Sequence, residues 1–219
     1  MDRLLKIVRI IAIGALLVAA LTVIYGMLVR PWHLRRGATE AEVSMPLPGD
    51  DLVNDPKFEY TQAISIDAAP EEIWPWLVQI GYQRAGWYSH DWIHRLLGVA
   101  GSVDHEGHSA DRIVPELQDL AVGDLIEIAP GMGFEVLEME PARYLLTGTD
   151  DGSWVWYLEA VNDGTTRLIT RSRGSWGPGV GTALLYGFPT IWGAWSCSRR
   201  PCGESGNGRK PARAQSASH

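Results

Sequence analysis

The sequence predicts an α+β protein: one membrane-spanning helix, then a single domain built on a curved antiparallel sheet. Three observations predict it. The first is an unbroken apolar run from Ile10 to Val29; the second is a strand pattern that runs straight into a helix over residues 60–80. The third is a group of five closely spaced strand patterns between Asp124 and Arg173.

From Ile10 to Val29 no side chain is charged, and Thr22 and Tyr25 are the polar exceptions. Twenty such residues at about 1.5 Å rise span roughly 30 Å, the thickness of a bilayer's hydrocarbon core. A cleaved signal peptide has a shorter apolar core, about 7–15 residues, followed by a small-x-small site. This run is longer and ends Tyr25-Gly26-Met27-Leu28-Val29-Arg30, so an uncleaved anchor is expected. Arg3, Lys6 and Arg9 precede it and Arg30, Arg35 and Arg36 follow it. That balance leaves the side of the membrane open. Trp32 suits an interfacial position.

Charge divides the chain sharply. Residues 1–36 carry six basic side chains and one acid, and residues 195–219 carry five and one. The formal total is −7, which leaves −16 on residues 37–194. So acidic a domain repels phosphate backbones, and nucleic acid is excluded as an expected partner. The basic flanks of the helix instead favour anionic headgroups. The chain divides into an anchor (1–36), a linker (37–58), one domain (59–195) and a basic tail (196–219). Both cysteines, Cys197 and Cys202, lie in that tail, so cysteine usage assigns no redox compartment.

Residues 37–58 contain Met45-Pro46-Leu47-Pro48-Gly49-Asp50-Asp51 and read as a linker with turns. Tyr60–Ala68 alternates as a strand does. Pro70 at the first helical position, with Glu71 and Glu72 in the first turn, starts a helix expected to reach about Ile80 and stop at Gly81. A second helix is expected over Ser89–Leu97, then a polar, Gly-rich loop over residues 99–110. The strand patterns are Asp124–Ala129, Gly133–Glu140, Arg143–Thr147, Ser153–Val161 and Thr166–Arg173. The alternation slips at Val136-Leu137, which predicts a bulge. Asn162-Asp163-Gly164 marks a tight hairpin. Residues 181–195 could form one more apolar helix, interrupted by Gly187 and Pro189. Residues 196–219 contain no Leu, Ile, Val, Met or aromatic residue and cannot build a core.

The run Ile64-Ser65-Ile66-Asp67-Ala68-Ala69-Pro70-Glu71-Glu72-Ile73-Trp74-Pro75-Trp76-Leu77 resembles the opening of the SRPBCC superfamily. That superfamily includes START-like lipid-binding and polyketide-cyclase-like domains. Gly86-Trp87-Tyr88-Ser89-His90-Asp91-Trp92 and Ser109-Ala110-Asp111-Arg112-Ile113-Val114-Pro115-Glu116-Leu117-Gln118 are similar to a membrane-associated bacterial subfamily of it. The resemblance runs from about Gly37 to Arg173. It implies a helix-grip fold and a cavity for a small hydrophobic ligand. It also implies a long closing helix, whereas the candidate here breaks off near Trp195. Two readings follow: a reading frame shifted near residues 188–196, so that the closing helix is missing or truncated, or a naturally divergent tail.

Nine of the ten tryptophans lie between Trp74 and Trp195. Trp154 and Trp156 share a strand face with Leu158 and Ala160, where aromatics are first of all core. In a helix-grip fold that face also lines the cavity. Trp74, Trp87, Tyr88, Trp92, Trp154 and Trp156 are therefore the pocket candidates, and Arg112 either pairs with Asp111 to fix the loop or is a polar anchor at the pocket mouth. His90 and His94, four apart, and His105 and His108 near Asp104, Glu106 and Asp111 have the side chains of a metal site. No HExxH pattern or cysteine supports one, so no metal and no cofactor is expected. Glu135, Glu138 and Glu140 are expected to face solvent. The expected function is the binding or handling of a lipid-like or polycyclic ligand at the cell membrane by a single-pass protein. The alternatives are a cyclase- or dehydratase-like enzyme using Arg112 or His90, and a truncated product without activity. The oligomeric state is not determined by the sequence.

Overall fold

A computed structural model of the chain describes residues 2–88, 109–162 and 164–175. The helix expected over Ser89–Leu97, with Trp92, His90 and His94, lies outside the described residues. So do His105, His108, the segment 181–195 and the tail.

Helix α1 (Asp2–Ile24) continues through a π-helical turn (Tyr25–Val29) into α2 (Arg30–Leu34). Pro31 explains the wider turn. It has no N–H to give the carbonyl four residues back, and its ring crowds that carbonyl. The Arg30 N–H accordingly reaches the Tyr25 carbonyl, five residues back. The stretch Arg9–Leu34, 26 residues, is long and apolar enough to cross a membrane.

The domain is α+β. Its sheet is antiparallel and six-stranded, in the order β1-β6-β5-β4-β3-β2. The strands are β1 (Phe58–Ile66), β2 (Leu125–Ala129), β3 (Met132–Glu140), β4 (Tyr144–Thr149), β5 (Gly152–Asn162) and β6 (Thr165–Gly174). All six expected strands are present, with no bound moved by more than two residues. The predicted bulge is there too: register shifts between Val136 and Glu138. Glu135, Glu138 and Glu140 are exposed.

Helix α3 (Glu40–Ser44) lies before β1, and helix α4 (Pro70–Val78) follows β1. The Glu72 carboxylate accepts the Ala69 N–H at 3.0 Å, satisfying one of the helix's free amides. Helix α4 ends at Val78, two residues earlier than expected. Ile80 closes a tighter turn onto the Leu77 carbonyl, and Gly81 then takes φ +135°.

One face of the sheet, here the inner face, packs under α4 around Leu77, Val78, Trp87, Val136, Leu145, Trp154 and Trp156. The outer face carries a second cluster of Leu47, Leu146, Val155 and Ile169.

Residues 37–58 differ most from expectation. Read as a linker, they form a strap bound to the outer face of β6. The odd-numbered residues of β6 put Arg167, Ile169, Arg171 and Arg173 on that face. Arg171 is 4% exposed, and its five N–H groups each meet an oxygen: Thr61 Oγ1, the Met45, Glu42 and Val43 carbonyls, and Asp50 Oδ2. Arg167 is bidentate to Glu42 at 2.6 and 3.0 Å. Arg173 pairs with Glu59 at 2.9 Å. Thr39 caps α3 reciprocally with Glu42, a capping box of about 1 kcal/mol.

The strap sets an acid sensitivity. The Arg167 guanidinium holds the Glu42 carboxyl down at about 2, against an ordinary value of 4.5. A carboxylate with a lowered native pKa contributes stability that is complete above its unfolded value. That contribution is lost as pH falls from about 4.5 towards 2. Urea midpoints measured at pH 7 and pH 3 should therefore fall less in Glu42→Gln than in the parent. An equal fall in both would show that the pair does not contribute.

Candidate functional site

The inner face is assembled by cross-strand register. Trp154 opposes Thr147 on β4 and Ser172 on β6; Trp156 opposes Leu145 and Thr170. Ser172 and Thr170 in turn oppose Tyr60 and Gln62 on β1. Directly opposed residues share a face, so these two rows run across the strands side by side.

The aromatic rings on this face are in contact. Trp87 stacks on Trp154 with centroids 5.9 Å apart and planes 12° from parallel. Trp154 and Trp156 lie 4.1 Å apart, tilted by 34°. Phe134 meets Trp154 edge-on at 5.7 Å. Trp76 meets Tyr88 in the same way at 5.6 Å. The Trp154 indole N–H donates to Thr170 Oγ1 at 2.8 Å. That bond fixes the ring's rotation and turns it over β6.

Trp87 and Tyr88 are held by a residue the sequence reading did not single out. Gln79 is fully buried. Its amide nitrogen donates to the Tyr88 hydroxyl and to the Arg112 carbonyl; its oxygen accepts from the Val114 N–H and from Gln118 Nε2. Four hydrogen bonds thus tie the end of α4 to the loop on both sides of residues 89–108. The signal was an amide inside the apolar run Leu77-Val78-Gln79-Ile80. Tyr88 itself sits at φ +51°, a conformation uncommon for a residue with a Cβ, kept by this network and by its N–H to Ser109 Oγ.

Of the seven pocket candidates, Trp87, Trp154 and Trp156 stand together, with Tyr88 and Trp74 packed against the same cluster. Arg112 is exposed, and its backbone carbonyl accepts from the buried Gln79 amide. Trp92 lies outside the described residues.

The long apolar N-terminal helix ends against this same face. Leu34 packs on the inner cluster, and the His33 carbonyl accepts from Gln62 Nε2 at 2.9 Å. The Arg36 carbonyl accepts the Ala63 N–H at 3.2 Å, so the chain leaving the helix pairs with the free edge of β1. Gly37 follows at φ +74°, where a Cβ would overlap the Ala63 carbonyl oxygen. Trp32 stays exposed, with the Arg36 guanidinium 6.0 Å from its ring centre.

Shifted ionisable groups sit elsewhere. Tyr144 is pushed up to about 12 by its hydrogen bond to Glu138, and both lie on the outer side of β3 and β4. Arg84, lowered by burial, is spent on the Val78 and Leu117 carbonyls.

No family model matches the chain, and no curated protein does. Among solved structures, it is similar to a conserved protein of unknown function from Enterococcus faecalis. Identity there is 14%, over 61% of this chain and 66% of that one, with a TM-score of 0.35. It is also similar to a polyketide-cyclase-like protein from Corynebacterium glutamicum at 13% identity, over 60% of this chain and 73% of that one, with a TM-score of 0.29.

Proposed function

We propose that this protein is a membrane-anchored, START-like helix-grip domain that binds or handles a small hydrophobic molecule, lipid-like or polycyclic. One observation carries the reading: the aromatic inner face meets the end of the membrane helix. Stacked indoles provide a flat apolar surface with specific ring geometry, suited to an apolar guest. Leu34 belongs to the same cluster, so the apolar interior continues towards the helix that would enter the bilayer. A guest that partitions into lipid then has a short route to the domain. The sequence resemblance over residues 64–118 points the same way.

The test is direct. The full chain is purified in detergent, washed by gel filtration, extracted with organic solvent and analysed by mass spectrometry. A small apolar compound should be enriched several-fold over an unrelated single-pass protein treated identically. Equal recovery from both would end the proposal.

A further inference from the structure

The inner face is not uniformly apolar. Gln62, Thr170 and Ser172 form a polar group within it, placed by register: Gln62 opposes Thr170, and Ser172 lies two residues further along β6, opposite Tyr60. Gln62 is 6% exposed and Ser172 8%. Trp154 and Trp156 oppose Ser172 and Thr170 from the other side, so the group lies between β1 and the indoles.

The hydrogen-bonding capacity of the three residues is only part-used. The Gln62 amide is oriented by the His33 carbonyl, which can only accept, so Nε2 is committed and Oε1 is the remaining acceptor. Thr170 Oγ1 accepts from the Trp154 indole, which leaves its own O–H to give. Among the described residues no protein group bonds Gln62 Oε1 or Ser172 Oγ. Neither atom is among the fully enclosed polar atoms that lack a partner, so both remain open to a polar guest.

We propose that this group is a polar subsite on the inner face, and that it takes a single hydroxyl on an otherwise apolar molecule. The inference rests on the proposed binding of a hydrophobic ligand. A hydroxyl matches the set because it donates and accepts at once: its proton goes to Gln62 Oε1 and its oxygen receives the Thr170 or Ser172 O–H. A ketone can only accept and leaves Gln62 Oε1 unmatched. A hydrocarbon leaves all three unmatched and must displace whatever water solvates them. Such sites discriminate strongly against analogues that lack the polar group, because the site's own polar atoms are then stranded. Gln62 also ties the subsite to the membrane anchor through the His33 carbonyl.

Matched probes test this: hexadecanol with hexadecane, and 2-naphthol with naphthalene. Each is incubated with the full chain in detergent, and the probe retained after gel filtration is measured by gas chromatography, with empty micelles subtracted. The alcohol of at least one pair should be retained roughly tenfold better than its hydrocarbon, the size of one buried hydrogen bond. That ratio should fall towards one in Ser172→Ala and Thr170→Val and persist in Thr170→Ser. Among the described residues Ser172→Ala removes no side-chain hydrogen bond, so it keeps the test open if Thr170→Val fails to fold. Equal retention of alcohol and hydrocarbon, or a ratio unchanged in Ser172→Ala, overturns the subsite and leaves hydrophobic binding standing. Retention of no probe by folded protein counts against both.

Discussion

Replacing Arg171 with leucine is expected to cost about 3–5 kcal/mol of stability, the range for breaking a buried ion pair from one side. The residue is 4% exposed, and its guanidinium meets five oxygens contributed by β1 and the strap. Leucine fills part of the volume but takes one donor from the Asp50 carboxylate, which keeps the Leu47 N–H, and leaves the Met45, Glu42 and Val43 carbonyls without the guanidinium. Each stranded acceptor adds a desolvation cost. Lysine would not rescue the loss, since a single ammonium cannot reproduce the planar fork. The loss should be localised as well as large. Limited proteolysis of Arg171→Leu should cut first within residues 40–56, and urea unfolding should show a lowered midpoint. A variant with parental stability and an uncleaved strap would refute the central role given to Arg171. Because the strap joins the N-terminal apolar helix to β1, its release should also loosen that helix's attachment to the domain.

Trp154→Ala should be comparably severe for a different reason. This indole touches Trp87, Trp156 and Phe134 and hydrogen-bonds Thr170. Removing a large buried aromatic generally costs about 3–5 kcal/mol, from lost transfer energy plus the cavity left behind. Trp154→Phe separates the contributions. It restores most of the apolar volume but gives up the N–H to Thr170, so a loss of about 1–2 kcal/mol is expected. The two variants compared by chemical denaturation, with co-purifying apolar material measured in parallel, distinguish core from ligand wall. A Trp154→Phe protein that is stable yet empties of ligand would assign the indole to recognition. One that is stable and still loaded would leave Trp154 a packing residue.

Much of the architecture was legible in the residues. The Ile10–Val29 run needs only length and the absence of charge to be read as a bilayer-length helix. Helix α4 announces its start through Pro70, Glu71 and Glu72, because the free amides and dipole of a first turn act locally. The strands of the meander were legible because side chains alternate with period two, and the bulge at Val136-Leu137 showed as a break in that alternation. Trp154 and Trp156 could be assigned to one face by the same count.

What escaped was everything that depends on pairing between distant segments. Residues 37–58 look like a linker, since their prolines, glycine and acids are turn-formers. Their role becomes visible only when Arg167, Arg171 and Arg173 come to face them, more than a hundred residues later. The alternation of arginines on β6 with a preceding acidic strap was the available signal. Gln79 and Gln62 read as ordinary polar residues until the fold removes them from water and supplies partners 33 and 29 residues away.

The sequence by itself thus determined the membrane-length helix, the α+β class and the faces of the individual strands, because hydropathy, period and capping are local properties. Only the tertiary structure decided that the helix end is fastened to β1. It also decided that the strap is clamped to β6, and that Gln62, Thr170 and Ser172 share the sheet face that carries the indoles. Register between strands follows from the packing of the whole sheet, and no stretch of chain carries that information alone.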